Sequence, residues 1–447
     1  MADVQPFLGY LVRPEHASEV AALPYDVFSR DEAALEIAAH PQSFLRIDKP
    51  CALLPELDEY DPRVYELAAE LLAADIQAGV YTLEETPHYY LYALEQEGHR
   101  QIGLLATVAT DDYRSGLVRR HENTRAKKRR DRIAHIKALE AQTGPVLLAY
   151  RPQPSLDSLM ARYAEGAEPL FDFVAPDGVR HTIWRVEKET SEKAFAEALE
   201  TIEPLYIADG HHRAAAAAET GGAYFLAILF SAGQLRILDY NRVIASLNGL
   251  EPRELLCRIE EDFELEPAGT HALRPTQRGE FSLYLSGAWY RLRIREGRRA
   301  HDAVAGLDVS LLHDRLLAPL LGITDPRQDP RISYVGGGRG LGELQRRVDA
   351  RGDGAAWALF PCSFEELCAV ADEGRLMPPK STWFEPKPRS GLFIHPLSLA
   401  EDGRLSRQTP AQGTPGTQGT QGTPAPAQAP AQSLPRPSTT QGTRDGL

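Results

Sequence analysis

The chain has 447 residues, 43% of them hydrophobic and 25% charged, with a formal net charge of −14. Such a chain suits a soluble globular protein of two or three domains with ample core. Its acidic balance argues against broad binding to nucleic acid or an anionic membrane.

The start is polar and acidic, with neither a basic region nor an apolar leader. No run approaches the roughly 18 apolar residues that cross a bilayer. A cytoplasmic protein with no membrane partner is expected. Helices are predicted over Ser29 to Ala39 and Pro62 to Ala78, the second opened by an Asp61-Pro62 cap. Strands follow at His88 to Leu94 and Gln101 to Thr110, joined through Glu97-Gly98. Asn123 to Thr143 reads as a long polar helix closed by Gly144-Pro145, and Val146 to Tyr150 as a strand. Leu170 to Val174 and His181 to Val186 form a strand pair around Asp177-Gly178. Thr190 to Ile202 is a helix and Ala223 to Phe230 an apolar strand.

A second half is placed after Asn248-Gly249. It holds a helix near Glu251 to Asp262, strands Phe281 to Leu285 and Tyr290 to Ile294, and a helix at Val309 to Leu321. A glycine cluster at Gly336 to Gly338, a strand at Ala356 to Phe360 and a helix at Ser363 to Asp372 complete it. The result is an α+β (mixed α/β) architecture and not a strict βαβ series. The expected division is 1–248, 249–399 and a tail, 400–447. The tail is rich in Pro, Gly, Thr and Gln and has no aromatic residue, so disorder is expected there. The four cysteines (Cys51, Cys257, Cys362, Cys368) form no CxxC pair, which argues for reduced thiols and against a zinc ribbon.

The densest chemistry lies in Pro204-Leu-Tyr-Ile-Ala-Asp-Gly-His-His-Arg213, which runs into five alanines. Leu205, Tyr206 and Ile207 read as a buried strand, Asp209-Gly210 as a turn, and the alanines as helix. A helix start offers unpaired N–H groups and partial positive charge, so it favours anions. Gly210 allows close backbone approach, and Arg213 is suited to grip a phosphate with two prongs. The plainer alternative is a capped helix, with Asp209 as N-cap and His211 and His212 solvated. Zinc is disfavoured, because adjacent histidines rarely converge on one metal and no HExxH is present.

A basic run, Arg119 to Arg132, holds eight Lys or Arg in fourteen residues of an acidic chain. A helix from about Thr124 would put Lys128, Asp131, Arg132 and His135 on one face with it, suited to a polyphosphate. Glu122, at the edge of the run, is the candidate general base. The alternatives are a solvated, salt-bridged helix, or nucleic-acid binding without interleaved aromatics. Met377 to Lys387 is a proline-rich rigid loop that presents Lys380, Ser381 and Thr382 beside Trp383 and Phe384, either to a ligand or as a packing arm. Asp26 and Arg46 are weaker candidates, and Tyr25-Asp26 reads equally as a simple turn. Gly336 to Gly340 lacks both phosphate-loop spacings. Asp239 to Arg242 reads as a polar turn of no evident role.

Several of these strings together resemble one family: PYDV at Pro24, SFLR at Ser43, HENTR at His121, GPV at Gly144 and ADGHHR at Ala208. LDYNR at Leu238, LDVSLLH at Leu307 and MPPKSTWFEPK at Met377 belong with them. The family is that of domain of unknown function 1015, and the resemblance runs from Pro6 to about His395. The DGHHR string is further similar to the phosphate-binding motif of free serine kinases, which share a fold with ParB partition proteins and sulfiredoxin. That resemblance implies a ParB/sulfiredoxin-like core. It also implies that Asp209, Gly210, His211, His212 and Arg213 bind the phosphates of ADP or ATP with Mg²⁺, Asp209 contacting the metal. Sulfiredoxin chemistry is disfavoured, because the turn carries no cysteine.

The expected activity is therefore a nucleotide-dependent phosphotransfer to a small hydroxylated metabolite, serine among the candidates. Glu122 would take the hydroxyl proton, and Arg125, Lys128 and Lys380 would stabilise the transferred charge. A nucleotide or phosphoester hydrolase built from the same parts is the alternative enzyme. A nucleotide-sensing regulator of ParB type is the alternative without catalysis, with the net charge counting against DNA. A homo-oligomer is compatible with all three.

Overall fold

The computed structural model describes residues 1–352 and 354–398. The disorder expected for 400–447 lies outside the described residues. Among the described residues the strands form a nine-stranded sheet, a six-stranded sheet, a four-stranded sheet and a two-stranded pair. The nine-stranded sheet runs in the order Val118–Arg119, Leu205–Asp209, Val146–Tyr150, Tyr224–Ser231, His99–Ala109, Tyr90–Gln96, Arg180–Arg185, Phe171–Val174. Val4–Gln5 pairs with His99–Ala109 off this path. Most neighbours are antiparallel, but Tyr224–Ser231 lies parallel to Val146–Tyr150, and Leu205–Asp209 parallel to Val118–Arg119. This is the mixed α/β architecture expected.

The alternation of strands explains how the sheet packs. Leu205 and Ile207 face one apolar core, while Tyr206 and Ala208 face another. Tyr224–Ser231 is buried along nearly its whole length because both faces are covered, so it reads as a continuous apolar run. The helix His211–Thr220 buries all five of its alanines, Ala214 to Ala218. Small side chains on every face let it sit close against both the sheet and the helix Ala126–Leu139.

The six-stranded sheet is wholly antiparallel. Its order is Phe263–Gly269, Ala288–Ile294, Glu280–Leu285, Ala355–Leu359, Tyr240–Ile244, Ile332–Gly336. Tyr240–Ile244 therefore corrects the expectation of a polar turn at Asp239 to Arg242. Its polar side chains are satisfied internally: Asn241 donates to Asp239 and accepts from the Leu359 N–H at 3.0 Å. The C-terminal segment then returns to the N-terminal half. Trp383–Glu385 pairs with Arg236–Leu238, and Phe393–Pro396 lies between Tyr10–Val12 and Ala141–Gln142.

Helix ends follow their local chemistry. Arg30–Ala39 and Phe364–Asp372 each start from a reciprocal capping box, Ser29 with Glu32 and Ser363 with Glu366. Pro62–Gln77 is capped by Asp61. The polar helix is shorter than the Asn123 to Thr143 expected, spanning Ala126–Leu139. Arg125 is extended and Glu140 is left-handed at φ +49°, which frees Ala141–Gln142 to pair as a strand. The helix expected over Val309 to Leu321 is Asp308–Leu312, continued by a wider π-type turn, His313–Leu317. Among the described residues no helix is long and apolar enough to cross a membrane.

Candidate functional site

The strand Leu205–Asp209 ends at Gly210, which is left-handed at φ +95°, and the helix begins at His211. Glycine is favoured there by conformation, and a Cβ would also crowd Arg213 Nε at 3.0 Å. No described side chain caps the helix, and its first residues, His211, His212 and Arg213, line a cleft of about 120 Å³.

Side chains from five distant segments line that cleft. Tyr25 and Asp26 come from the N-terminal loop, and Glu122, Arg125 and Lys128 from the basic run. Asp209 to Arg213 form its floor, and Tyr240, Lys380, Thr382, Trp383 and Lys387 close it. The structure thus brings together Glu122, Arg125, Lys128, Asp209, Gly210, His211, His212, Arg213, Lys380 and Thr382. Ser381 is turned away and donates to the Pro378 carbonyl at 2.6 Å. Arg46 is buried elsewhere, paired with Asp75 at 2.6 Å.

Asp209 is the centre of the turn's electrostatics. Its Oδ1 accepts from Lys387 Nζ at 2.7 Å and its Oδ2 from Arg213 Nη2 at 2.7 Å. Burial alone would raise this carboxyl, but Lys387 and Arg213 outweigh it and hold it well below the usual carboxylate range. Arg213 also donates to the Pro145 carbonyl, so its head is committed to the turn itself. With both oxygens of Asp209 taken by cations, the residues present do not fit a magnesium ion held by Asp209. Among the described residues no group of three or more His, Cys, Asp or Glu side chains could hold a metal ion.

Three histidines are kept neutral. Burial pushes His121 and His212 down to about 4, and His211 well below its ordinary value. His121 and His211 meet edge-on with ring centroids 4.5 Å apart, and His121 Nε2 lies 3.2 Å from Thr382 Oγ1. His211 Nε2, His121 Nδ1 and His212 Nδ1 are buried with no hydrogen-bond partner among the described residues.

Burial raises the Glu122 carboxyl, against the pull of Lys380. Burial likewise lowers Lys128. For Lys380 burial is outweighed by Tyr240 and Glu122, so its ammonium is held charged. Lys380 sits at φ +59°, a left-handed conformation that side chains other than glycine rarely adopt. Arg242 holds it there by donating to the Lys380 carbonyl at 3.0 Å.

The basic run divides in two. Arg132 turns inward, stacked 3.8 Å over the Tyr25 ring and paired with Asp131 at 2.9 Å, and His135 lies 2.9 Å from the Ile47 carbonyl. These two do not share the expected polyphosphate face. Arg119 pairs with Asp372 and Arg129 with Glu219, leaving Arg125 and Lys128 for the cleft. Tyr240, Trp383 and Lys387 were not among the expected site residues. Lys387 carried the clearest signal, standing between two prolines at the end of the loop 377–387. Gly337 has a structural role, since a Cβ there would lie 2.3 Å from Asp239 Oδ1.

Fold and site together define a mixed α/β protein with a cation-lined cleft at a helix start. The chain belongs to the family described as proteins of unknown function, DUF1015, whose model matches residues 4–310. No curated protein sequence matches it. Among solved structures it is similar to a free serine kinase variant in complex with ADP, at 15% identity and a TM-score of 0.34, over 63% of this chain and 87% of that one. It is also similar to C-terminally truncated SbnI from Staphylococcus aureus, at 12% identity and a TM-score of 0.36, over 68% and 90%. A conserved hypothetical protein from Pyrococcus furiosus is similar at 14% identity and a TM-score of 0.31, over 64% and 93%.

Proposed function

We propose that the protein is a phosphotransferase that takes the terminal phosphoryl group of a nucleotide, ADP or ATP, to a small hydroxylated acceptor. One observation carries this reading. An uncapped helix start, three neighbouring cations (Arg125, Lys128, Lys380) and a half-buried carboxylate, Glu122, line the same cleft. Phosphoryl transfer asks for positioning and charge neutralisation more than for covalent chemistry. The His211 and His212 N–H groups and the cations would hold the phosphates. Glu122 would take the acceptor's hydroxyl proton. The acceptor oxygen then bonds to phosphorus as the bond from phosphorus to the bridging oxygen breaks, and that bond's electron pair leaves on the bridging oxygen of the departing nucleoside phosphate. Burial makes Glu122 a stronger base than an exposed carboxylate. The DGHHR string, similar to that of free serine kinases, supports the reading and with it a ParB/sulfiredoxin-like core.

Thermal-shift titrations with ADP, ATP and CTP test the binding half. A stabilisation that Lys128→Met removes is expected, and a flat response to all three nucleotides overturns the proposal. Phosphorus NMR with serine and other alcohols tests transfer. Glu122→Gln is expected to keep nucleotide affinity within about twofold and to lose at least about a hundredfold in turnover, in the usual range for a general base. Hydrolysis is the second reading, favoured by Glu122 also lining a neighbouring open cavity that water can enter. Inorganic phosphate released at the same rate with and without alcohols would select it.

A further inference from the structure

Beside the cleft lies a cavity of about 420 Å³, within the roughly 300–1,000 Å³ of small-molecule sites. It is walled by the segments 113–124 and 371–376. Glu122 and His211 line both spaces, so they form the wall between them. We propose that this cavity is the acceptor subsite and that it takes a hydroxylated small molecule carrying a carboxylate or phosphate, gripped by Arg120. The proposal rests on the phosphotransfer reading of the neighbouring cleft.

Position is the first argument. In-line transfer puts the attacking oxygen opposite the leaving oxygen. A donor held at the helix start leaves its far side toward Glu122 and the space behind it. An acceptor there reaches Glu122 without displacing the donor.

Charge is the second argument. Three arginines line the cavity, and two are already committed. Arg119 pairs with Asp372, which Arg151 also reaches at 2.9 Å. Arg114 holds Asp111 at 2.6 Å and the Ala218 carbonyl. Arg120 has no carboxylate partner among the described residues, and its guanidinium rests 5.7 Å over the Tyr113 ring. A planar guanidinium parked on an aromatic face and open to a polar cavity is suited to take a carboxylate or phosphate with two parallel hydrogen bonds. Asp372 is neutralised by two arginines, so it opposes an anion little. Asn123 and Thr124, also on the wall, add donors and acceptors for hydroxyl groups. The volume exceeds what a three-carbon hydroxy amino acid needs, so acceptors larger than serine fit within it.

The test compares the full chain with Arg120→Gln and Arg120→Lys, both at an exposed position. Binding is read first without nucleotide, by ligand-observed NMR. The probes are gluconate and glycerate as hydroxycarboxylates, glycerol 3-phosphate and ribose 5-phosphate as phosphate esters, and glycerol and ribose as neutral controls. Wild type is expected to bind one anionic set and not the neutral set, which also tells carboxylate from phosphate recognition. Arg120→Gln is expected to weaken that binding at least about tenfold, Arg120→Lys to restore part of it, and nucleotide affinity to stay within about twofold. Neutral and anionic probes binding alike, or no probe binding, overturns the proposal. So does an Arg120→Gln variant that loses nucleotide and keeps acceptor, which would put the nucleoside in this cavity. Arg120-dependent binding of an anionic probe in a protein that binds no nucleotide would keep the subsite and sink the phosphotransfer reading alone.

Discussion

Lys387 reaches Asp209 across 178 residues of sequence, and the pair is closed from the other side by Arg213. Burial works against the Lys387 ammonium, but Asp209 and Glu385 outweigh it and keep it charged. A charge left in such a place without its partner is costly, which makes the turn dependent on all three groups. Lys387→Met should destabilise the protein by about 3 kcal/mol, the low end for breaking a buried pair, because Arg213 remains. Chemical denaturation at pH 7 measures this. The same variant should titrate Asp209 at higher pH, so its stability deficit should shrink on acidification. A loss below about 1 kcal/mol, within the range of an exposed pair, would mean that Lys387 serves the cleft and not the turn.

At the scale of elements, the strand–turn–helix around Gly210 was legible because its signals are local. An apolar triplet, a glycine and an alanine run sit in one stretch, and the anion-favouring helix start follows from backbone geometry. The loop 377–387 was legible only as a rigid segment. What holds it, the Arg242 side chain, belongs to a strand whose polar residues suggested a turn. Asn241 is polar because it bonds the buried Leu359 N–H across the sheet, and Arg242 because it bonds the Lys380 carbonyl of the distant loop, tertiary facts that no local pattern records. Arg132 and His135 were misjudged for the same reason, since helical spacing says which residues share a face and not which face is buried. Arg242→Gln leaves the Lys380 carbonyl unpaired, at a cost of about 1–3 kcal/mol, and releases a left-handed Lys380. Hydrogen exchange should then quicken over residues 378–387 while the strand Leu205–Asp209 stays protected. Nucleotide affinity should fall about tenfold. Unchanged exchange in the loop would show that its prolines alone hold it.

Across the whole molecule the buried titratable groups do not pull in one direction. His121, His135 and His212 are pushed down to about 4 by burial, below the roughly 6.5 of an unfolded histidine. Each therefore contributes stability that is complete above about pH 6.5 and is lost as the pH falls toward 4. Asp308 works the other way. Burial raises it to about 6, although it accepts from the Gly279 N–H at 2.9 Å and from Arg299 at 2.9 Å. Its contribution is complete below the roughly 3.9 of an unfolded aspartate and is lost as the pH rises through about 6. The two windows overlap between pH 4 and 6, where each tenfold difference in proton affinity between folded and unfolded chains is worth about 1.4 kcal/mol. Burial also lowers His181, His211 and His395 and raises Asp112, Glu122 and Glu385, so the histidines outweigh the carboxyls and unfolding free energy should fall by several kcal/mol from pH 7 to pH 4.5. Urea denaturation across that range measures the slope. His135→Asn should flatten it, because His135 touches the Ile47 carbonyl behind the cleft and lines no part of it. Asp308→Asn should steepen it. Stability that instead rises on acidification would mean that the carboxyl governs this window and that the histidines find water once protonated.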